Sequence, residues 1–163
     1  MTTLITTARL LLRPHEVSDA PFMVALNADP EVVRYTGDVA FVGPSEADEI
    51  IASLRRQFAE RQLGRLVVID RADGERLGWC GLKWHEDEQG VDLGFRFFRA
   101  QWGKGYATEA GAACLRWLTD NTDIRNVFAH AMPENIGSVR VLQKLGFTAT
   151  GPLLEDGFQR FEP

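Results

Sequence analysis

Apolar positions along this chain change their period several times, and each change marks an element. Leu4 to Arg13 reads as a first strand, which Pro14 ends. Ser18 or Asp19 caps a short helix through Leu26, and Asp29-Pro30 opens a further helical turn with Val32 and Val33 as its apolar side. Gly37 to Pro44 is loop. Ser45 then caps a longer helix to about Leu63, because Ala47, Ile50, Ile51, Leu54 and Phe58 recur at helical spacing while Arg55, Arg56, Glu60 and Arg61 fall largely on the wet face. Gly64 is its expected stop.

The period then shortens to two. Arg65 to Arg71 and Arg76 to Trp84 flank Ala72-Asp73-Gly74, and Asp-Gly between apolar runs signals a hairpin. After the polar turn from His85 to Gly90, Val91 to Phe98 completes a three-stranded meander. Helical spacing returns with Ala107, Ala110, Cys114, Trp117 and Leu118, which predicts a helix from about Gly105 to Thr119. Val127 to Ala131 is a strand. Asn135 caps another helix that turns Ile136, Val139, Leu142 and Leu145 inward, with Gly146 at the position after its C-terminus. Phe147 to Thr150 and Phe158 to Phe161 are the last two short strands. The order β–α–α–β–β–β–α–β–α–β–β describes one α/β sandwich over residues 1–163.

Composition narrows the functional classes. A chain of 163 residues with 45% hydrophobic content supports one domain with a real core. A net charge of −5 argues against a nucleic-acid-binding face and suits a cationic substrate slightly better than an anionic one. No 18-residue apolar run is present, so no membrane span is expected, and the start MTTLITTARLLLRP lacks the basic region of a signal peptide. A reducing cytoplasmic location is the default expectation. Cys80 (GWCGL) and Cys114 (AACLR) sit in apolar surroundings and read as buried thiols; without a CxxC or a Cys/His cluster, no metal site is implied.

The densest chemistry lies in Phe98 to Ala110, FRAQWGKGYATEA. A strand, a glycine-rich turn and a helix follow one another here, an arrangement that presents backbone N–H groups and a helix dipole to an anion. Gly103 and Gly105 can take positive φ and allow close approach to the main chain. The turn matches neither of the common phosphate loops: Lys104 lies between the glycines, and the residue three after Gly105 is Thr108. Alone, such a turn is equally an ordinary left-handed turn.

Separated segments give it context. Thr7-Ala-Arg-Leu-Leu-Leu-Arg-Pro14, Asp29-Pro30-Glu31-Val32, Leu93-Gly94-Phe95, Trp102-Gly-Lys-Gly-Tyr-Ala-Thr-Glu-Ala110, Asn135-Ile-Gly-Ser138 and Lys144-Leu-Gly-Phe147 together resemble the GNAT N-acetyltransferase superfamily, and within it the RimJ/RimL-like branch. The resemblance covers nearly the whole chain. One departure from the general [QR]-x-x-G-x-[GA] motif is visible, Trp102 standing where Gln or Arg is usual, and the branch commonly has Trp there.

The resemblance implies a central, mostly antiparallel mixed sheet with helices on both faces, whose fourth and fifth strands, here Val91–Phe98 and Val127–Ala131, splay apart. It implies acetyl-CoA as cosubstrate. The pantetheine arm would pair along Leu93, Gly94 and Phe95, and the pyrophosphate would rest on Trp102, Gly103, Lys104, Gly105, Tyr106 and Ala107. Gly94 in mid-strand suggests a bulge or a close backbone approach there; room for a neighbouring aromatic is the other reading. Asn135 would contact the pantetheine arm besides capping its helix. Ser138 is either a local hydrogen-bonding residue or the acid that protonates the leaving thiolate. The N–H of Phe95 is the candidate oxyanion donor.

A base must take the amine proton. Asp92 and His130 are the candidates, with Glu86 a distant third, and a water relay is the alternative to all of them. Lys104 and Arg99 either attract the phosphates or are solvated surface charge. Glu109 reads as structural. Trp79, Trp84 and Phe41 are candidates for an acceptor pocket and equally for core. The expected activity is acetyl transfer to a primary amine, of a protein N-terminus or of a small molecule, without nucleic-acid or membrane partners. A non-catalytic acyl-CoA-binding domain is the alternative, and a nucleotide-phosphate binder a remoter one. The C-terminal edge strands favour a homodimer.

Overall fold

In the computed structural model, which describes residues 3–41 and 43–163, the first expected strand is instead a hairpin. Strand β1 (Ile5–Thr6) turns back at Thr7 into β2 (Leu10–Arg13), with the Thr7 N–H donating to the Leu10 carbonyl at 2.9 Å. Then follow α1 (Ala20–Ala28), α2 (Pro30–Val33), α3 (Pro44–Arg61), β3 (Gly64–Asp70), β4 (Arg76–His85), β5 (Gly90–Phe97), α4 (Tyr106–Asn121), β6 (Val127–Ala131), α5 (Ile136–Lys144), β7 (Thr148–Thr150) and β8 (Gln159–Glu162). The strands form one sheet in the order β1-β2-β3-β4-β5-β6-β8-β7. Neighbours run antiparallel except β5 and β6, which are parallel because α4 crosses between them. Among the described residues no helix is long and apolar enough to cross a membrane.

Strand β3 shows why helices cover both faces. Leu66 and Val68 point to one side, into a core with Ala110, Cys114 and Leu118 of α4. Val67 and Ile69 point to the other side, against Phe22 and Leu26 of α1 and Val32 of α2. Each such side chain contributes about 1.5–3 kcal/mol when withdrawn from water. Cys80 and Cys114 are both buried where β4 meets α4. The neighbouring Cys114 and burial raise the Cys80 pKa, so this thiol stays protonated and packs as an apolar group.

Two expected caps fall elsewhere. Helix α3 starts after Gly43 and ends at Arg61, with Gln62 in the left-handed region at φ 57°, while Gly64 is already the first residue of β3. Asp19 precedes α1 without capping it through its side chain. Its carboxylate is fully buried, and Arg13, 2% exposed, grips both its oxygens at 2.8 Å. Arg76 adds a bond of 2.7 Å, and the Glu16 N–H another of 2.7 Å. Asp29 and Asn135 do cap as expected, accepting from the N–H groups of Glu31 and Ser138. Ile136, expected inward, is 59% exposed.

Candidate active site

Strands β5 and β6 part company after two residue pairs, Val91 with Val127 and Asp92 with Phe128. Beyond Asp92 the β6 side of β5 has no strand partner. Which groups face the opening follows from alternation. The Val91 N–H donates across to Asn126, on the β6 side, while the Phe98 N–H donates to Leu77, on the β4 side. Residues two apart along a strand point the same way, so the N–H and carbonyl of Phe95 face the gap. Its β4 register is unbroken, Gly94 lying opposite Gly81 and Phe95 opposite Cys80.

The expected bulge at Gly94 is therefore not there, and no aromatic ring explains the glycine either. The Arg65 guanidinium crosses β5 at this point, and a Cβ on Gly94 would sit 2.7 Å from its Cζ. Arg65 thereby reaches the Asp92 carboxylate at 2.9 and 3.1 Å, and the Gly81 and Asp92 carbonyls at 2.7 and 2.8 Å.

Two cavities open on either side of the gap. The first, of about 480 Å³, runs under the glycine turn and along α5, and its walls include Trp102, Gly103, Gly105, Tyr106 and Ala107. Gly103 and Gly105 have φ of 75° and 79°, the left-handed values the sequence suggested. A Cβ on Gly103 would meet nothing within 4 Å, so only backbone conformation requires glycine there. The N–H groups of residues 103 to 105 have no acceptor among the described turn and loop bonds, and those of the first turn of α4 precede any intrahelical acceptor. Such a cluster of free donors at a helix start is an anion site.

The N-terminal hairpin braces this turn. Arg9 donates to the Lys104 carbonyl at 2.9 Å and to Glu109 at 2.6 Å, and it lies over the Tyr106 ring at 4.4 Å. Thr7 also donates to Glu109 at 2.6 Å. Burial opposes the Glu109 charge, but these bonds outweigh it and hold the carboxyl below its ordinary range. Glu109 is thus structural, as its position on the helix suggested. Trp102, 48% exposed, pins the turn through its indole N–H to the Phe97 carbonyl at 3.0 Å. Lys104 and Arg99 are not among the residues lining this cleft: Lys104 Nζ bonds Gln101 at 3.1 Å, and Arg99 pairs with Asp29 at 2.6 Å. Lys144 and Arg140 of α5, which sequence reading passed over, line the cleft instead.

The second cavity, of about 610 Å³, lies between the sheet and helices α1 and α3. His130, Asp92, Leu93, Gly94, Trp79 and Phe41 border it. Leu93 and Gly94 therefore belong to this cavity rather than the first. Phe95, Asn135 and Ser138 line both cavities, so the two meet at those residues. The Ser138 hydroxyl has no partner among the described residues. Trp84 lies elsewhere, donating to Glu86 at 2.7 Å under the Arg61 guanidinium, and Glu86 is an exposed partner of Arg61. Neither borders either of these two cavities.

Electrostatics separates the two base candidates. Burial would raise the Asp92 pKa, but the charge and hydrogen bonds of Arg65, helped by His85 at 3.2 Å, lower it below its ordinary value. An ion-paired carboxylate with a lowered pKa is a poor proton acceptor at neutral pH. This weighs against Asp92 as the base and suits it to holding Arg65 and His85. Burial lowers the His130 pKa below 6.5, with Asp92 opposing and Arg160 assisting. His130 is then neutral at pH 7 and able to accept a proton.

Comparison with known proteins agrees with this architecture. Residues 9–148 match the family described as the acetyltransferase (GNAT) domain. The chain is 32% identical over 151 residues to the uncharacterized N-acetyltransferase p20 of Bacillus licheniformis, covering 92% of this chain and 84% of that one. It superimposes with a TM-score of 0.84 on an acetyltransferase from Agrobacterium tumefaciens, at 23% identity and over 99% and 93% of the two chains. The spermidine N-acetyltransferase of Vibrio cholerae, solved with CoA and spermine, gives a TM-score of 0.80 at 20% identity, over 95% of each chain. With the family match spanning most of its length and the splayed sheet in place, this chain belongs to the GNAT acetyltransferase family and is an acyltransferase.

Proposed function

We propose that the protein carries the acetyl group from acetyl-CoA directly to a primary amine within a ternary complex. One observation supports this above the rest: the cleft under the glycine turn and the second cavity meet at Phe95, Asn135 and Ser138, so a thioester entering from one side faces an amine entering from the other. The pyrophosphate rests on the free N–H groups of residues 103 to 107, with Arg140 and Lys144 near the phosphates. The pantetheine arm takes the place of the missing strand beside Phe95 and contacts Asn135.

The amine, mostly protonated at pH 7 with a pKa of about 10, first loses a proton to bulk water. Its nitrogen attacks the acetyl carbonyl, the N–C bond forms, and the oxyanion is met by the Phe95 N–H. The C–S bond then breaks. His130, directly or through a water, takes the second proton from nitrogen, and the Ser138 hydroxyl protonates the thiolate and is restored from solvent. No covalent enzyme intermediate is required. Within the family, the resemblance of Thr7–Pro14 and Asp29–Val32 supports the RimJ/RimL-like branch, with the protein acting in the cytoplasm as a homodimer paired at the β7 edge.

Release of CoA thiol in the presence of amines tests the activity. Ser138→Ala is expected to lower kcat by about 10- to 100-fold. His130→Ala is expected to lower it at least tenfold and to change the acid limb of the pH profile. That limb lies below pH 6.5, because the lowered His130 pKa keeps the base neutral to lower pH. An unchanged rate and limb in His130→Ala would hand the proton to a water relay.

A further inference from the structure

We infer that the acceptor is a primary amine that also carries a carboxylate and an apolar group, with the carboxylate held at Lys83. This rests on the transferase proposal above and names its acceptor class.

The charges lining the second cavity do not balance. Three cations border it, Arg65, Lys83 and Arg96, against two carboxylates, Asp38 and Asp92. Both carboxylates are already engaged. Asp92 pairs with Arg65 at 2.9 Å, and Asp38 with Arg96 at 2.7 Å. Lys83 stands across the strands from Asp92, yet it has no hydrogen bond or ion pair among the described residues, because Arg65 and His85 occupy that carboxylate. One positive charge is left over.

The unpaired donors point the same way. Arg96 bonds Asn27 and Asp38 through its terminal nitrogens, but its buried Nε–H has no acceptor. A buried donor without a partner costs about 1–3 kcal/mol, and an oxygen of an anionic ligand removes that cost. Gln57 Oε1, buried where α3 lines the same cavity and without a donor, can accept an N–H of the ligand. The cavity also has apolar lining, from Met23, Phe41, Ile50, Leu54 and Trp79. A cavity of about 610 Å³ exceeds what a simple amine fills.

A polyamine is the wrong guest. It needs free carboxylates, and among the described lining residues both are paired. The net charge of −5 suggested a cationic substrate, but the local surplus at Lys83 has the opposite sign, and field inside a cavity follows the near charges.

The test compares matched acceptors with purified protein and acetyl-CoA, following thiol release. Apolar amino acids such as leucine and phenylalanine are set against their amides, the corresponding decarboxylated amines and spermidine. The acids are expected to show kcat/KM at least tenfold above the others. Lys83→Met is expected to cut the acid-to-amide ratio at least tenfold through KM, and Lys83→Arg to restore most of it. Preference for spermidine or the amides, or an unchanged ratio in Lys83→Met, overturns the inference while leaving the transferase intact. If no amine releases CoA, calorimetry of the acids with the CoA-loaded protein decides. Binding that Lys83→Met abolishes upholds the acceptor class while the transferase proposal fails; no binding of the acids beside intact CoA binding overturns the inference.

Discussion

Gly105→Val is expected to lower acetyl-CoA affinity at least a hundredfold in a protein that still folds. Gly105 has φ 79°, where a β-branched residue is strained by about 1–3 kcal/mol. A Cβ there would lie 3.4 Å from Nη2 of Arg9, whose guanidinium braces the turn through the Lys104 carbonyl, and the further methyls of Val extend beyond that Cβ. The cheapest relief is for the turn to change conformation, which scatters the free N–H groups of residues 103 to 107. Those groups are the proposed phosphate site, so affinity falls while the core, which is elsewhere, holds. Circular dichroism and urea denaturation establish folding, and calorimetry reads the affinity. Gly105→Ala, with the same φ but less bulk, is expected to show a smaller loss. A folded Gly105→Val protein that binds acetyl-CoA normally would remove the turn from the site.

Asp19→Ala is expected to cost about 3–5 kcal/mol of stability, because it strands the Arg13 guanidinium at 2% exposure without its bidentate partner. Burial raises the Asp19 pKa, but hydrogen bonds from Arg13, the Glu16 N–H and Arg76 outweigh it and bring the value to about 2, against an ordinary 3.8. A lowered pKa fixes the sign: the folded protein holds the carboxylate ionised longer than the unfolded chain. The associated stability, about 2 kcal/mol, is complete above pH 4 and is lost as pH falls from 4 towards 2. Urea denaturation across that range measures both effects. A loss under about 1 kcal/mol in Asp19→Ala would contradict a stranded, uncompensated Arg13.

Elements whose signal is local were legible in the sequence. The hairpin at Asp73-Gly74, the caps Asp29 and Asn135, and β6 with its bounds at Val127 and Ala131 all follow from neighbours in the chain. So do the positive φ angles at Gly103 and Gly105. What failed depended on distant partners. Asp19 looked like a cap, but Arg13 and Arg76 draw its carboxylate into the core. Gly94 suggested a bulge or a close backbone approach; there is no bulge, and the neighbour that a Cβ would meet is a guanidinium arriving from β3, 29 positions earlier in the chain at Arg65. The ion pair of Asp92 with that same arginine, which weighs against it as the base, was likewise out of view. Trp79 and Trp84 carry identical local signals, and only the sheet decides that Trp79 faces the second cavity. The surplus charge at Lys83 was invisible for the same reason, since it is defined by which cations already have partners.

The most direct measurement is a calorimetric titration of the purified protein with acetyl-CoA, with ADP and ATP as controls. The expected result is one site per chain with micromolar affinity that neither nucleotide reproduces, since the pantetheine arm beside β5 and the phosphates on the glycine turn must act together. A folded protein that ignores acetyl-CoA, or that binds ATP equally well, would contradict the account.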